Sequence, residues 1–205
     1  MSELEAFVTL GFRHIVNLEA MDHILFLCAL AAIYRPRDWR DALWVVSAFT
    51  VGHSVTLALA VTGALVFPTA LVEFLIPVTI VATCVENLLV RDRAQAPWRG
   101  RYRPVFAGVF GLVHGAGFAT YLRSLFVDRI ALPLFGFNAG IELGQVVVLG
   151  LAGGALALVD GGFAALVAST RPPAPLGATL RLRVVAVSAA VAFVAARWAI
   201  ERSPF

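Results

Sequence analysis

The chain has 205 residues, of which 60% are hydrophobic and 14% charged, and its mean hydropathy is +0.86. Soluble domains are about half apolar and about a quarter charged, so this composition excludes an ordinary cytosolic enzyme, a disordered tail and a disulfide scaffold. All 16 basic residues are arginines, and the formal net charge is +3. Because these arginines separate apolar stretches, they fit membrane topology better than nucleic-acid binding.

Six apolar stretches predict an all-α, polytopic membrane helix bundle. At about 20 residues per span, the predicted spans are 18–34, 41–66, 69–90, 104–127, 131–159 and 181–200. They must be helices, because an open sheet would leave its edge groups without partners in lipid. The segment 5–16 is too short and too mixed to span, so we expect it to lie at the interface or to dip partway in. No internal repeat stands out.

Arginine counts predict the orientation of the bundle. The loops after the first, third and fifth spans, with the first turn of span six, hold 11 arginines, and the opposite side holds 5. The richer side should be cytoplasmic, which places both termini on the non-cytoplasmic side of the membrane. We expect one transmembrane domain over 1–205, with a linker and last helix at about 160–205. The lipid bilayer is its expected environment, no nucleic-acid partner is expected, and the sequence leaves open whether the chain forms a membrane oligomer.

Charged and polar side chains lie within these apolar stretches. A charge at membrane depth costs roughly 2.5–3.5 kcal/mol on insertion scales, so each such residue needs a partner, a cavity or a function. All four histidines of the chain lie in or against spans, and on the predicted topology the polar groups trace a line from the outer surface to the midplane. In chain order the polar residues are Glu19, Asp22, His23, Thr50, His53, Ser54, Glu73, Glu86, Asn87, His114, Asn138, Glu142 and Gln145, with His14 just before span one.

Imidazole and carboxylate groups are ligands of borderline divalent metals, so these residues predict a buried site for Ni, Co or Zn. Copper(I) is disfavoured, because the chain has only two methionines and its two cysteines lie apart in apolar runs. The candidate metal ligands are His14, Asp22, His23, His53, His114 and Glu142. The supporting polar residues are Glu19, Thr50, Ser54, Glu73, Glu86, Asn87, Asn138 and Gln145.

Simpler explanations compete for several of these residues. A polar side chain in a span can simply form a hydrogen bond with a neighbouring helix. This explanation is favoured for Thr50, Ser54, Asn87 and Gln145. Glu86 can pair with Arg91 near the inner interface, Asp22 can serve only to hold His23, and His14 can be an interfacial residue without a ligand role.

A row of glycines predicts how span five packs. Gly136, Gly140 and Gly144 recur at every fourth residue, on the face opposite Asn138 and Glu142. Small residues allow two transmembrane helices to approach closely. We therefore expect the glycine face to contact a neighbouring helix and the polar face to line an interior site.

Six runs of sequence resemble the HupE/UreJ family of small membrane proteins. In the family's order they are GFRHIVNLEAMDHILFL, FTVGHSVTLALA, LVEFLIPVTI, ENLL, FGLVHGAGFA and FNAGIELGQ, and they cover roughly residues 8–150. The resemblance implies a bundle of helices in a bacterial inner membrane and a secondary nickel, or cobalt, permease linked to hydrogenase or urease. It maps the family's metal-handling motif onto His14, Asp22 and His23. The other characteristic polar positions map onto His53, Glu73, Glu86, His114, Asn138 and Glu142.

Three functions fit these observations, and a permease is favoured. In a permease, the outer carboxylates and imidazoles would capture the ion and the midplane histidines would pass it inward. The second function is an intramembrane zinc-dependent hydrolase or acyltransferase, in which three histidines and a carboxylate leave one zinc position open for water. No catalytic residue can be named for it. The third is a non-catalytic membrane subunit that the buried metal stabilises.

Overall fold

A computed structural model describes residues 2–90, 100–123, 130–168 and 176–205, and all regular structure within those ranges is helical. The helices are α1 Glu3–Val16, α2 Met21–Ile33, α3 Trp39–Val61, α4 Thr69–Val90, α5 Arg103–Arg123, α6 Ala131–Ala168 and α7 Leu176–Glu201. Short 3-10 turns at Leu18–Ala20 and Pro36–Asp38 precede α2 and α3. The prediction of an all-helical chain is therefore confirmed.

Four helices in the described ranges are long and apolar enough to cross a bilayer. They are Pro36–Val61, Thr69–Val90, Ala131–Leu166 and Thr179–Glu201. The helices α1 and α2 meet at a bend of 68° and together would make a fifth span. Six spans and the orientation of the termini remain predictions, and the arginine-containing segment 91–99 lies outside the described residues.

Helix α1, formed by the segment expected only to lie at the interface or dip partway in, packs along α6. A Cβ added at Gly11 would overlap the carbonyl of Phe137, and a Cβ at Gly140 would overlap the carbonyl of Val8. Farther along the helices, Gly136 meets Leu4 and Gly144 meets Ile15. Residue numbers therefore rise together along both helices, so α1 and α6 run parallel. The expected close packing of the glycine face of span five is confirmed, and α1 is its neighbour.

Helices α3 and α5 repeat this packing. A Cβ at Gly52 would overlap the carbonyl of Gly108, and a Cβ at Gly111 would overlap the carbonyl of Phe49, in the same register as the two crossings of α1 and α6. These two helices are also parallel. The sequence shows no repeat because the equivalent positions share little beyond glycine, but the packing of the helices is repeated.

The two parallel pairs run in opposite directions. His53 of α3 lies beside Asn138 of α6, whereas Ala42, earlier on α3, lines one groove with Leu149, later on α6. Residue numbers therefore rise along α3 as they fall along α6. We refer to α1 with α6, and α3 with α5, as the two glycine-packed pairs.

A buried arginine joins the end of α2 to α6 and α7. Arg183 forms an ion pair with Asp160 at 2.7 Å and donates to the carbonyl oxygens of Ala32 and Tyr34, both at 3.0 Å. The last carbonyls of a helix have no donor within the helix. The guanidinium of Arg183 therefore caps α2 from a neighbouring helix.

We expect the substitution Arg183→Met to lower the free energy of unfolding by about 2 kcal/mol, because it leaves buried carbonyl groups and a carboxylate without a donor. Unfolding in detergent, followed by circular dichroism, measures this loss. The exposed Arg181 provides the control, and Arg181→Met should change stability by less than about 0.5 kcal/mol. Equal losses in both variants would contradict the capping role.

Candidate metal centre

Three histidines from three different helices converge inside the bundle. His14 of α1, His23 of α2 and His53 of α3 place ligand nitrogens within 4.8 Å of one another. Among the residues that the structure describes, this is the one group of three or more His, Cys, Asp or Glu side chains spaced to hold a metal ion. His23 and His53 are buried, and His14 is partly buried.

His23 lies at the centre of this histidine cluster. Its ring centroid is 5.0 Å from that of His14, 5.1 Å from that of His114 and 6.2 Å from that of His53. The other three histidine rings of the chain therefore surround the ring of His23. His23 occupies the first turn of α2, immediately after the bend that separates α1 from α2.

Asp22 orients the ring of His23. The Asp22 Oδ1 accepts a hydrogen bond from the backbone N–H of His23 at 2.9 Å and lies 3.1 Å from the His23 Nδ1. A carboxylate has no hydrogen to give, so Nδ1 donates, and in the neutral ring Nε2 then keeps its lone pair. The Nε2 atom is buried and has no hydrogen-bond partner. Metal-bound histidines typically have this arrangement, with a carboxylate on one nitrogen and the metal on the other.

Other buried polar atoms around His23 also lack hydrogen-bond partners. They are the Nε2 of His14, both ring nitrogens of His53, the Nδ1 of His114 and the Oδ1 of Asn138. Each unsatisfied buried group costs about 1–3 kcal/mol, so a concentration of them at one point fits a bound ligand. Imidazole nitrogens and carbonyl oxygens are lone-pair donors, which makes the fitting ligand a cation.

A partly open cavity of about 440 Å³ leads to the cluster. Its lining includes Asp22, Glu73, Arg202 and three of the histidines, His14, His23 and His114. Exposure falls along this path. Glu73 is exposed, the side chain of Asp22 is 20% exposed, and His114 is 1% exposed. Carboxylates therefore lie nearer to the surface, and the deepest group is an imidazole.

Glu142 is not part of the cluster. Its carboxylate accepts a hydrogen bond from the hydroxyl of Ser47, which joins α6 to α3. Thr50 donates to the Oε1 of Gln145 at 2.8 Å and joins the same two helices. Ser54 donates to the carbonyl of Thr50 within α3. Thr50 and Gln145 thus form the hydrogen bond between neighbouring helices that is the simpler explanation for their presence in a span. Ser54 bonds within its own helix.

Glu86 and Asn87 belong to a second polar cluster at the far end of α4. Glu86 pairs with Arg103 and accepts a hydrogen bond from Tyr102. Asn87 accepts from Arg103 at 3.1 Å and donates to the carbonyl of Ala29 at 2.7 Å. The expected partner of Glu86, Arg91, lies outside the described residues, as does the side chain of Glu19.

Thr79 contacts the cluster and was not anticipated from the sequence. Its hydroxyl lies 3.0 Å from the Nε2 of His114. A threonine in an apolar span carries little signal by itself, because its hydroxyl usually bonds to the preceding turn of its own helix. The one hint is that it follows Pro77, where the helix is locally perturbed.

Comparison with known proteins agrees with the resemblance seen in the sequence. A family model described as HupE / UreJ protein matches residues 1–202, which is nearly the whole chain. Searches of curated proteins and of solved structures found no match. The chain belongs to the HupE/UreJ family.

Proposed function

We propose that this protein is a permease for a divalent transition metal of the nickel and cobalt class in the bacterial inner membrane. The family is linked to the handling of these metals, and the apolar helices fit a bilayer. The observation that carries the proposal is the convergence of His14, His23 and His53, with unpartnered nitrogens, beside an open cavity.

The chemistry of the cavity supports selection of the ion. Glu73 and Asp22 would attract a hydrated cation, and the imidazoles behind them would replace its water. Mg²⁺ and Ca²⁺ prefer oxygen ligands, whereas imidazole suits Ni²⁺, Co²⁺ and Zn²⁺. A site whose innermost ligands are nitrogens therefore discriminates against the abundant hard cations.

The two glycine-packed pairs support transport. The cluster lies between them, because His14 belongs to the first pair and His53 and His114 belong to the second. Many secondary transporters hold their substrate between two oppositely directed repeats and expose it alternately by moving one repeat against the other. We propose the same movement here.

The contacts within and between the pairs differ in the way that such a movement needs. Within each pair, the backbones of the two helices touch at glycines. Between the pairs, α3 and α6 are joined by side-chain hydrogen bonds, from Ser47 to Glu142 and from Thr50 to Gln145. Side-chain bonds can break and re-form at modest cost, so the interface between the pairs is the one that can open.

Ion uptake into proteoliposomes tests the proposal. Vesicles containing the purified protein and an internal metal-sensitive dye should take up Ni²⁺ or Co²⁺ in a saturable manner and should not take up Mg²⁺. The variant His23→Gln should be inactive, and Thr83→Val, one helical turn from Thr79, should match the wild type. One tightly held zinc ion without any ion movement would contradict the permease and favour the hydrolase or the metal-stabilised subunit.

A further inference from the structure

We infer that Thr79 is a positioning residue that fixes the tautomer of His114 and so makes this histidine a fourth metal ligand. The inference rests on the proposed function, because it adds a ligand to the same site. His114 is 1% exposed, and its ring lies 5.1 Å from that of His23 in a T-shaped arrangement. Thr79 lies on α4, a helix that contributes no histidine to the cluster.

The position of the hydroxyl hydrogen of Thr79 follows from its two contacts. The Oγ1 lies 2.7 Å from the carbonyl oxygen of Ile76 and 3.0 Å from the Nε2 of His114. A carbonyl oxygen carries no hydrogen, so the hydrogen between Thr79 and Ile76 must be the one on the hydroxyl. A hydroxyl has only one hydrogen, so Thr79 can only accept from His114.

The hydrogen of the neutral His114 ring is therefore on Nε2. A neutral imidazole carries one N–H, so the Nδ1 of His114 keeps its lone pair. This Nδ1 is buried and has no hydrogen-bond partner. A buried lone pair needs either a cation or a hydrogen-bond donor, and none of the described side chains donates to this nitrogen.

Asp22 and Thr79 thus hold His23 and His114 in opposite tautomers. Asp22 holds the hydrogen of His23 on Nδ1 and leaves Nε2 free, and Thr79 holds the hydrogen of His114 on Nε2 and leaves Nδ1 free. A group that forms a hydrogen bond with the second nitrogen of a metal-bound histidine typically fixes the orientation and the tautomer of the ring. The nitrogens of His114 lie outside the group that His14, His23 and His53 form within 4.8 Å, so the ring of His114 would close on the bound ion to raise the number of imidazoles to four.

Nitrogen NMR of the histidine rings tests the tautomer without any metal. The chain has four histidines, so the spectrum of ¹⁵N-labelled protein in detergent can be assigned by single substitutions. His114 should carry its hydrogen on Nε2 in the wild type and in Thr79→Ser, which keeps the hydroxyl. In Thr79→Val, which has the same shape without the hydroxyl, the two tautomers should mix. A wild-type His114 with its hydrogen on Nδ1 would overturn the inference.

Metal affinity tests the consequence, with Ni²⁺ or Co²⁺ as the probe. Thr79→Val should bind about 10–100-fold more weakly, as is typical when a group behind a ligand is removed, and Thr79→Ser should bind like the wild type. Thr83 is the matched control, because it donates to the carbonyl of Thr79 at 3.0 Å and lies one turn farther along α4. Thr83→Val should leave the affinity unchanged.

A double substitution shows whether Thr79 acts through His114. In a His114→Gln background, Thr79→Val should cause no further loss of affinity. A further loss there, or no loss from Thr79→Val in the wild type, would overturn the inference while leaving metal binding by the other three histidines, and hence the proposed function, intact. A wild-type protein that binds neither ion would overturn both.

Discussion

Replacing His23 with glutamine should lower the affinity for Ni²⁺ or Co²⁺ by more than about 100-fold, beyond the range that removal of a supporting group causes. The expected loss is large because the ring of His23 is the neighbour of all the other imidazoles, at centroid distances of 5.0 to 6.2 Å. Competition against a chelating dye, with the protein in detergent, measures it. Asp22→Asn should weaken binding by about 10–100-fold, because it removes the group that orients a ligand.

The metal affinity of Glu142→Gln provides the control for that of His23→Gln. The sequence placed Glu142 among the candidate ligands, but its carboxylate contacts Ser47 and is not part of the histidine cluster. We expect Glu142→Gln to bind the ion with nearly wild-type affinity. If Glu142→Gln lost as much affinity as His23→Gln, the ion would have to bind elsewhere on α6, and the histidine cluster would not be the site.

Replacing Gly52 with alanine should lower the free energy of unfolding by about 3 kcal/mol, the upper end of the usual cost of overpacking. The new Cβ would overlap the backbone carbonyl of Gly108, which cannot move aside as a side chain can. Helices α3 and α5 would have to separate. Gly140→Ala should have a comparable effect, because its Cβ would overlap the carbonyl of Val8 on α1.

Gly154 supplies the matched control for these substitutions. It lies on α6, and a Cβ added there would meet no atom within 4 Å. Alanine favours a helix over glycine by about 0.5–1 kcal/mol, so Gly154→Ala should be neutral or slightly stabilising. Unfolding of the three variants in one detergent allows direct comparison. If Gly52→Ala and Gly154→Ala proved equally stable, the glycine-packed pairs would not hold the bundle together in this way.

The helical class could be predicted from the sequence, whereas the role of α1 could not. Composition and apolar run length suffice for the class, since only helices can form spans of this length. Helix α1 has a short and mixed sequence, and its place depends on the match between Gly11 and the carbonyl of Phe137 on α6. Such a match between residues far apart in the sequence has no local signal. The same holds for the extension of α6 to Ala168, beyond the predicted end at 159.

The clustering of histidines could be predicted because burial of each one is costly in a membrane, and that cost applies whatever the fold. The position of Glu142 was harder to predict. Asn138 and Glu142 share one face of α6, but they are separated by about 6 Å along the helix axis. One therefore lies beside His53 and the other reaches Ser47. Thr79 was missed because its contact with His114 depends on which face of α4 meets α5.

X-ray absorption spectroscopy of the protein loaded with one equivalent of Ni²⁺ or Co²⁺ tests most directly whether the histidines hold the ion. We predict a first shell that contains at least the three imidazoles of His14, His23 and His53, at metal–nitrogen distances of about 2.0–2.1 Å, as for zinc. The imidazole count should fall in His23→Gln. A shell of oxygen or sulfur atoms alone, or an imidazole count that His23→Gln leaves unchanged, would contradict a metal site at this cluster.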